Sequence, residues 1–243
     1  MAWPWLRPVI DPAATEVWEP QVPVVAPGAP MPSPPPPGAI KLLGSDGLGA
    51  WQAMDGSPAG WRHSGDTATV VKAAGNIRTQ RRFTDYRLHL EWRTPPGITG
   101  EGQARGNSGL FLGATGSGDA GYELQILDSY NNRTYANGQA GAIYKQHAPL
   151  ANPMRPPGEW NAYDVEWTAP RFARDGSLAS PARLTARLNG VLVQDGAVLR
   201  GETVFIGQPV YTAHGPLPIM LQAHRDPSEP ISFRNIWLVE VRP

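Results

Sequence analysis

The sequence of 243 residues contains no cysteine. Disulfides, thiolate metal centres and a thiol nucleophile are thereby excluded, and stability has to come from burying a core. Net charge is absent too, because 21 Lys and Arg balance 21 Asp and Glu. Without a basic excess or cluster there is no electrostatic footprint for nucleic acid or an anionic membrane surface, since such binding is driven by counterion release from phosphates. Nucleic acid is therefore not an expected partner. No apolar run approaches the roughly 18–20 residues that cross a bilayer, so no membrane span is expected. Runs of helical period are missing as well, and helices should be few and short. A chain of this length is compatible with one large β-sandwich domain.

Proline and glycine are what the sequence has in abundance, 27 of each. Twelve of the prolines fall within the first 37 residues and end in Pro34, Pro35, Pro36 and Pro37. Each fixes φ and removes an N–H, so residues 1–38 should form an extended arm and neither helix nor central strand. The arm carries Trp3, Trp5, Trp18, Val22, Val24 and Val25. Residues 15–25 at least are expected to dock on the body, whereas residues 1–10 could equally be an undocked leader. Those ten lack the apolar core and small-residue cleavage site of a signal peptide.

From residue 39 onward, as a single domain to residue 243, the pattern is β. In residues 86–93, Tyr86, Leu88, Leu90 and Trp92 share one face and Arg87, His89, Glu91 and Arg93 the other. Residues 122–127 split into Tyr122, Leu124 and Ile126 against Glu123, Gln125 and Leu127, and residues 219–224 into Ile219, Leu221 and Ala223 against Met220, Gln222 and His224. Residues 184–195 read as a hairpin whose Asn189-Gly190 supplies the positive φ values of a type I′ turn. Residues 231–241 are apolar on both faces, as in a central strand. Two packed antiparallel sheets, an all-β jelly-roll-like sandwich, account for this.

The polar faces carry Glu91, Glu123, Gln125, Gln222 and His224, a mixture of carboxylates, amides and an imidazole with Trp and Tyr nearby. Planar hydrogen-bonding groups beside aromatic faces suit a sugar; a plain solvated face is the alternative. The segment Glu123-Leu-Gln-Ile-Leu-Asp128 has the spacing of the E-x-D-x-x-E pattern of retaining jelly-roll glycosidases, but with an amide in the middle and a shorter last acid, which speaks against an ordinary retaining mechanism. Asp128 could equally start a turn. Gly106-Asn107-Ser108-Gly109 enters a strand rather than a helix and is no phosphate loop; it aims Asn107 at the polar face or is a simple turn. His63, His147 and His214 have no companions at metal-ligand spacing, and no G-x-S-x-G occurs.

Together these segments resemble the 3-keto-disaccharide hydrolase domain family, of concanavalin A-like, laminarinase-like jelly-roll fold. The resemblance lies in Arg105-Gly-Asn-Ser-Gly-Leu-Phe111, Gly121-Tyr-Glu-Leu-Gln-Ile-Leu-Asp128, Gly141-Ala-Ile-Tyr144, Pro156-Pro-Gly-Glu-Trp-Asn161 with Tyr163-Asp164, Leu188-Asn-Gly190, Leu221-Gln-Ala-His224 and Phe233-Arg-Asn-Ile-Trp237. It runs from about residue 40 to the end, and Glu16-Val-Trp-Glu-Pro20 looks like the leader of a longer subgroup. Arg225 departs from the pattern, where Gly usually follows the His.

The resemblance implies a periplasmic or secreted enzyme acting on glycosides already oxidised to a ketone at C3. The ketone acidifies the C2 hydrogen, so a base can remove it and expel the C1 aglycone by elimination, after which water adds. In this reading His224 and Glu123 share the proton transfers, with Asp128 orienting His224 or acting as acid. Asn107, Gln125, Gln222, Lys145, Arg234 and Glu91 contact the sugar or the enolate. A divalent ion held by Glu, Asp and His could serve as electrophile, though nothing in the sequence demands a cofactor. Two other readings stand beside this one: a non-catalytic sugar-binding module of the same fold, and an ordinary glycoside hydrolase.

Overall fold

The computed structural model describes residues 11–28 and 33–241. Expectations about residues 1–10, Trp3 and Trp5 included, lie outside them. Fifteen strands follow in order: β1 (Ile40–Leu43), β2 (Trp51–Ala53), β3 (Arg62–Ser64), β4 (Thr67–Thr69), β5 (Ile77–Thr79), β6 (Tyr86–Arg93), β7 (Ser108–Ala114), β8 (Gly121–Ile126), β9 (Asn161–Thr168), β10 (Arg171–Phe172), β11 (Leu178–Ser180), β12 (Arg183–Leu188), β13 (Val191–Val198), β14 (Met220–Leu221) and β15 (Ser232–Glu240). One sheet of eight strands runs β13-β12-β9-β6-β15-β4-β3, with β1 also paired to β15. A five-stranded sheet runs β2-β5-β14-β7-β8, and β10 and β11 form a separate ribbon. All these named strand pairings are antiparallel. The architecture is the all-β two-sheet sandwich expected.

Period-2 alternation decides what lies between the sheets. Tyr86, Leu88, Leu90 and Trp92 of β6 meet Leu110 and Leu112 of β7 and Tyr122, Leu124 and Ile126 of β8 in one apolar core. The aromatic residues place their polar tips across the sandwich: the Tyr86 hydroxyl donates to the Leu112 carbonyl at 2.6 Å and the Tyr163 hydroxyl to the Gln125 carbonyl at 2.6 Å. Each bond satisfies a buried hydroxyl that would otherwise carry a desolvation cost of about 1–3 kcal/mol. The hairpin β12–β13 turns through Asn189 and Gly190, whose φ values are 51° and 79°.

Two details differ from the alternation read in the sequence. The strand expected over residues 219–224 is a two-residue strand, β14, after which Gln222 N still donates to Gly109 O at 3.0 Å and Ala223 N turns to the Asn76 side chain. The two-sided apolar pattern of residues 231–241 reflects a bulge in β15: its register to β6 shifts between Arg234 and Trp237, and Asn235 has φ of 46°. The extra residue lets Phe233, Ile236 and Leu238 all face the core.

Parts of the arm lie along the body. Asn137 brackets Val17, accepting from its N–H at 2.9 Å and donating to Thr15 O at 2.8 Å, while Val24 bridges Asn152. Further on, Ser33 O accepts from the Asn235 and Trp237 side chains at 3.1 and 3.0 Å.

Candidate active site

The core takes one face of the five-stranded sheet. Its other face carries Gly109 and Phe111 of β7, Glu123 and Gln125 of β8, and Met220 of β14 followed by Gln222 and His224. Phe111, Ala114 and Met220 make a small apolar cluster at one end of that face. The polar remainder floors a cavity of about 570 Å³, lined by Asn107, Glu123, Gln125, Gln222 and His224. Its walls come from loops and the arm, through Tyr135, Tyr144, Thr203, Phe205 and Glu16. The size suits one or two sugar rings.

Glu123 is 6% exposed. Among the described residues no donor reaches its carboxyl. Burial, reinforced by the charge of Asp119, pushes its pKa from 4.5 up to about 8, so at neutral pH it is a carboxylic acid and a proton donor. Gly109 opposite it leaves the space that this carboxyl occupies: a Cβ on Gly109 would stand 2.5 Å from Glu123 Oε1 and 2.8 Å from the Phe111 ring. Gly109→Ala is therefore expected to displace the Glu123 side chain and lower kcat at least about tenfold while the fold persists, measured by kinetics alongside thermal unfolding.

An amide cluster lies beside Glu123. Asn107 Nδ2 donates to Gln103 O at 2.8 Å, and Gln125 Nε2 to Gln103 Oε1 at 3.1 Å. The side-chain amide oxygens, Oε1, of Gln125 and Gln222 are buried without a protein partner. Such unpaired acceptors are costly unless a ligand or water donates to them, which makes this floor receptive to hydroxyl groups. The hydroxyls of Tyr135 and Tyr144 share a hydrogen bond of 2.7 Å. Burial pushes the Tyr144 hydroxyl up to about 12 and that of Tyr135 higher, so both remain phenols.

His224 stands half-exposed at the other side, its ring oriented by Asp226. Asp226 N donates to Nδ1 at 3.1 Å, and Asp226 Oδ2 lies 3.1 Å from the same nitrogen. Burial opposes ionisation of Asp226, but hydrogen bonds from His224 and Ser228 and the charge of Lys72, 3.3 Å away, hold its carboxyl below the usual value. The Asp226 carboxylate and N–H both bear on Nδ1, which fixes the ring at the cavity and leaves Nε2 without a protein partner among the described residues.

The remaining expected residues lie elsewhere. Asp128 is fully buried behind the Asn107 turn, with Oδ2 2.9 Å from Arg105 Nε in poor alignment for a hydrogen bond; burial raises its carboxyl pKa, partly opposed by Arg105. It neither lines the cavity nor touches His224, because the strand ends at Ile126 and the chain turns inward; the orienting role falls to Asp226. Lys145, at φ of 57°, borders the cavity and does not line it: Nζ donates to Pro12 O at 2.6 Å and Phe205 O at 3.0 Å. Glu91 and Arg234 lie on the eight-stranded sheet, paired at 2.6 Å beside His89 and Trp237. Alternation assigns a residue to a face of its strand but not to a sheet, and these two belong to the far side of the sandwich. Among the described residues no three His, Asp or Glu side chains converge as metal ligands. Glu123, Asp128 and His224 do not fit a divalent ion, because Asp128 lies outside the cavity that the other two line.

Several lining residues carried no periodic signal. Gln103 sits in a single 3₁₀ turn, Gly102–Ala104, and Asp119, Thr203 and Phe205 sit in loops. Tyr144 and Glu16 fell within segments already noted, and the His224-Arg225-Asp226 spacing, which lets the Asp side chain fold back on the ring, was the one local clue to Asp226.

An all-β sandwich with an acid, an oriented imidazole and an amide floor in one cavity defines a carbohydrate-active protein. The model of the 3-keto-alpha-glucoside-1,2-lyase-like domain matches residues 38–239, and the chain belongs to that family. A provisionally named glycosyl hydrolase from Parabacteroides distasonis ATCC 8503 is 46% identical, with 97% of this chain and 98% of that one covered and a TM-score of 0.82. A second such protein of that organism is 17% identical over 84% of this chain and 95% of its own, at a TM-score of 0.59. A third is 21% identical over 79% and 99%, at 0.54. These last two bear on the fold alone. Comparison with curated proteins gives no match.

Proposed function

We propose that this protein cleaves 3-keto-glycosides by elimination and hydration, with His224 as base and Glu123 as acid. The observation that carries this reading is the pairing, in one cavity, of a buried carboxyl still protonated at neutral pH with an imidazole held by an ionised carboxylate. A retaining glycosidase needs an ionised nucleophile opposite its acid; Asp128, the residue at that spacing, is sequestered by Arg105.

His224 Nε2 removes the C2 proton, and the electron pair passes into the C3 carbonyl as an enolate. The tyrosine pair, with one hydroxyl proton left over from its mutual bond, supplies a donor from the cavity wall. The enolate re-forms the ketone as the C1–O bond breaks, and Glu123 gives its proton to the leaving oxygen. Water then adds to C1 of the enone, returning a proton to Glu123 while the imidazolium reprotonates C2. The net reaction is hydrolysis, and no oxocarbenium ion is required. We place it in the periplasm or outside the cell, as the family resemblance implies; cell fractionation tests that.

Incubation with a 3-keto-glucoside and with its unoxidised parent is expected to release aglycone only from the former. Comparable release from the parent would make this an ordinary glycoside hydrolase. Binding of both with release from neither would make it a sugar-binding module.

A further inference from the structure

The family domain spans residues 38–239, yet Glu16, from the arm preceding it, supplies part of the cavity wall. Its placement is built rather than incidental. Asn137 grips the backbone on both sides through Thr15 O and Val17 N, and Ala136 N donates to Val17 O at 2.6 Å. Trp18 packs edge-on against Tyr135 with ring centroids 6.0 Å apart. The Lys145 ammonium joins the arm at Pro12 O to the facing loop at Phe205 O and stands 4.0 Å from Glu16 Oε1.

The carboxylate is left with capacity to spare. Trp18 Nε1 donates to Oε2 at 3.1 Å, and among the described residues no hydrogen-bond donor reaches Oε1. Beside it Phe205 lines the cavity with 59% of its surface exposed. A carboxyl acceptor next to an apolar ring recognises a hydroxylated ring, the oxygens taking O–H donors and the aromatic face meeting C–H groups.

The side of the cavity is set by neighbours. Tyr144 N donates to Glu123 O at 3.3 Å, the Tyr144 and Tyr135 hydroxyls share a bond of 2.7 Å, and Tyr135 packs against Trp18, which donates to Glu16. Glu16 thus lies across the tyrosine pair from the acid, and His224, which lines the cavity backed by Asp226, is no part of that chain of contacts. A group reached past the acid is the one that departs.

We propose that Glu16 binds hydroxyl groups of the departing portion of the substrate, so that the arm supplies a specificity-determining contact which the family domain by itself lacks. This rests on the reaction proposed above, in particular on Glu123 as the acid.

The test compares the full chain with its Glu16→Gln variant on 3-keto-glucosyl-glucose, whose leaving group carries hydroxyls, and on methyl 3-keto-glucoside, whose leaving group carries none. Glutamine can still accept from Trp18, so the arm keeps its seat. The expected result is a fall in kcat/KM, expressed in KM, that is about tenfold larger for the first substrate than for the second. Equal losses on the two substrates, or none, would overturn the inference. If the wild-type chain turns over neither substrate, the reaction reading fails separately. Calorimetric binding of an unoxidised disaccharide and of methyl glucoside then decides: weakening by Glu16→Gln confined to the disaccharide supports the contact, and its absence removes it.

Discussion

Glu123→Gln is expected to lower kcat on a 3-keto-disaccharide by about 10²–10⁴-fold, the range typical of a positioned general acid. A sugar alkoxide cannot leave unprotonated, but a nitrophenolate can. The same variant should therefore lose far less on a nitrophenyl 3-keto-glucoside. Activity of the wild type should fall as pH rises through about 8, where Glu123 ionises and the proton is no longer available. Stability follows the same group. A carboxyl whose folded pKa is about 8 against 4.5 unfolded binds its proton more tightly when folded, so its contribution is fully present below 4.5 and is lost as pH rises toward 8. The slope is about 1.4 kcal/mol per pH unit across that window. Glutamine does not titrate, so chemical denaturation should find the variant gaining on the wild type by a few kcal/mol between pH 5 and pH 9. A variant that retains the wild-type alkaline limb, or that loses equally on both leaving groups, would remove Glu123 as the acid.

His224→Ala should be as damaging by another route. Without the base, kcat on every 3-keto-glycoside falls about 10³–10⁴-fold, leaving-group quality notwithstanding. Exchange of the C2 hydrogen with deuterium oxide, followed by NMR, separates the two variants. Glu123→Gln should retain exchange while losing release, because the C2 proton is removed before the C1–O bond breaks; His224→Ala should lose both. Asp226→Asn keeps the shape but removes the charge on Nδ1, and a loss of about 10–10²-fold in both readouts is expected, smaller than that of His224→Ala. The half-exposed ring suggests a further check, since added imidazole should restore part of the activity of His224→Ala. Exchange that persists in His224→Ala would place the base elsewhere.

Much of this molecule is local chemistry written along the chain. Alternation in residues 86–93 and 122–127 separates core from outer face, Asn189-Gly190 makes its hairpin turn, and the prolines leave the described part of the arm extended. The expectation of no helix there fails only at the single 3₁₀ turn Pro12–Thr15, which Pro12 starts because the first turn of a helix needs no N–H from it. Glu123, Gln125, Gln222, His224 and Asn107 were legible because period 2 puts them on polar faces or at a strand entry. What alternation cannot carry is which sheet a strand joins: Glu91 and Arg234 read like their counterparts on β8 and after β14, yet pair on the far side of the sandwich. Nor does it show where a strand ends, and Asp128, two residues past Ile126, turned into the interior instead of the cavity.

The acid–base division of labour proposed above belongs to the tertiary structure. A glutamate in sequence carries ordinary titration behaviour; burial of Glu123 raises its pKa, and the ion-paired Asp226 holds the His224 ring. The arm is the clearest division between the two levels. Its prolines determined that it would be extended, but only long-range contacts over more than a hundred residues, from Asn137 and Lys145 back to Thr15, Val17 and Pro12, brought Glu16 to the cavity, because extended chain has no interior of its own and takes its position from what it packs against.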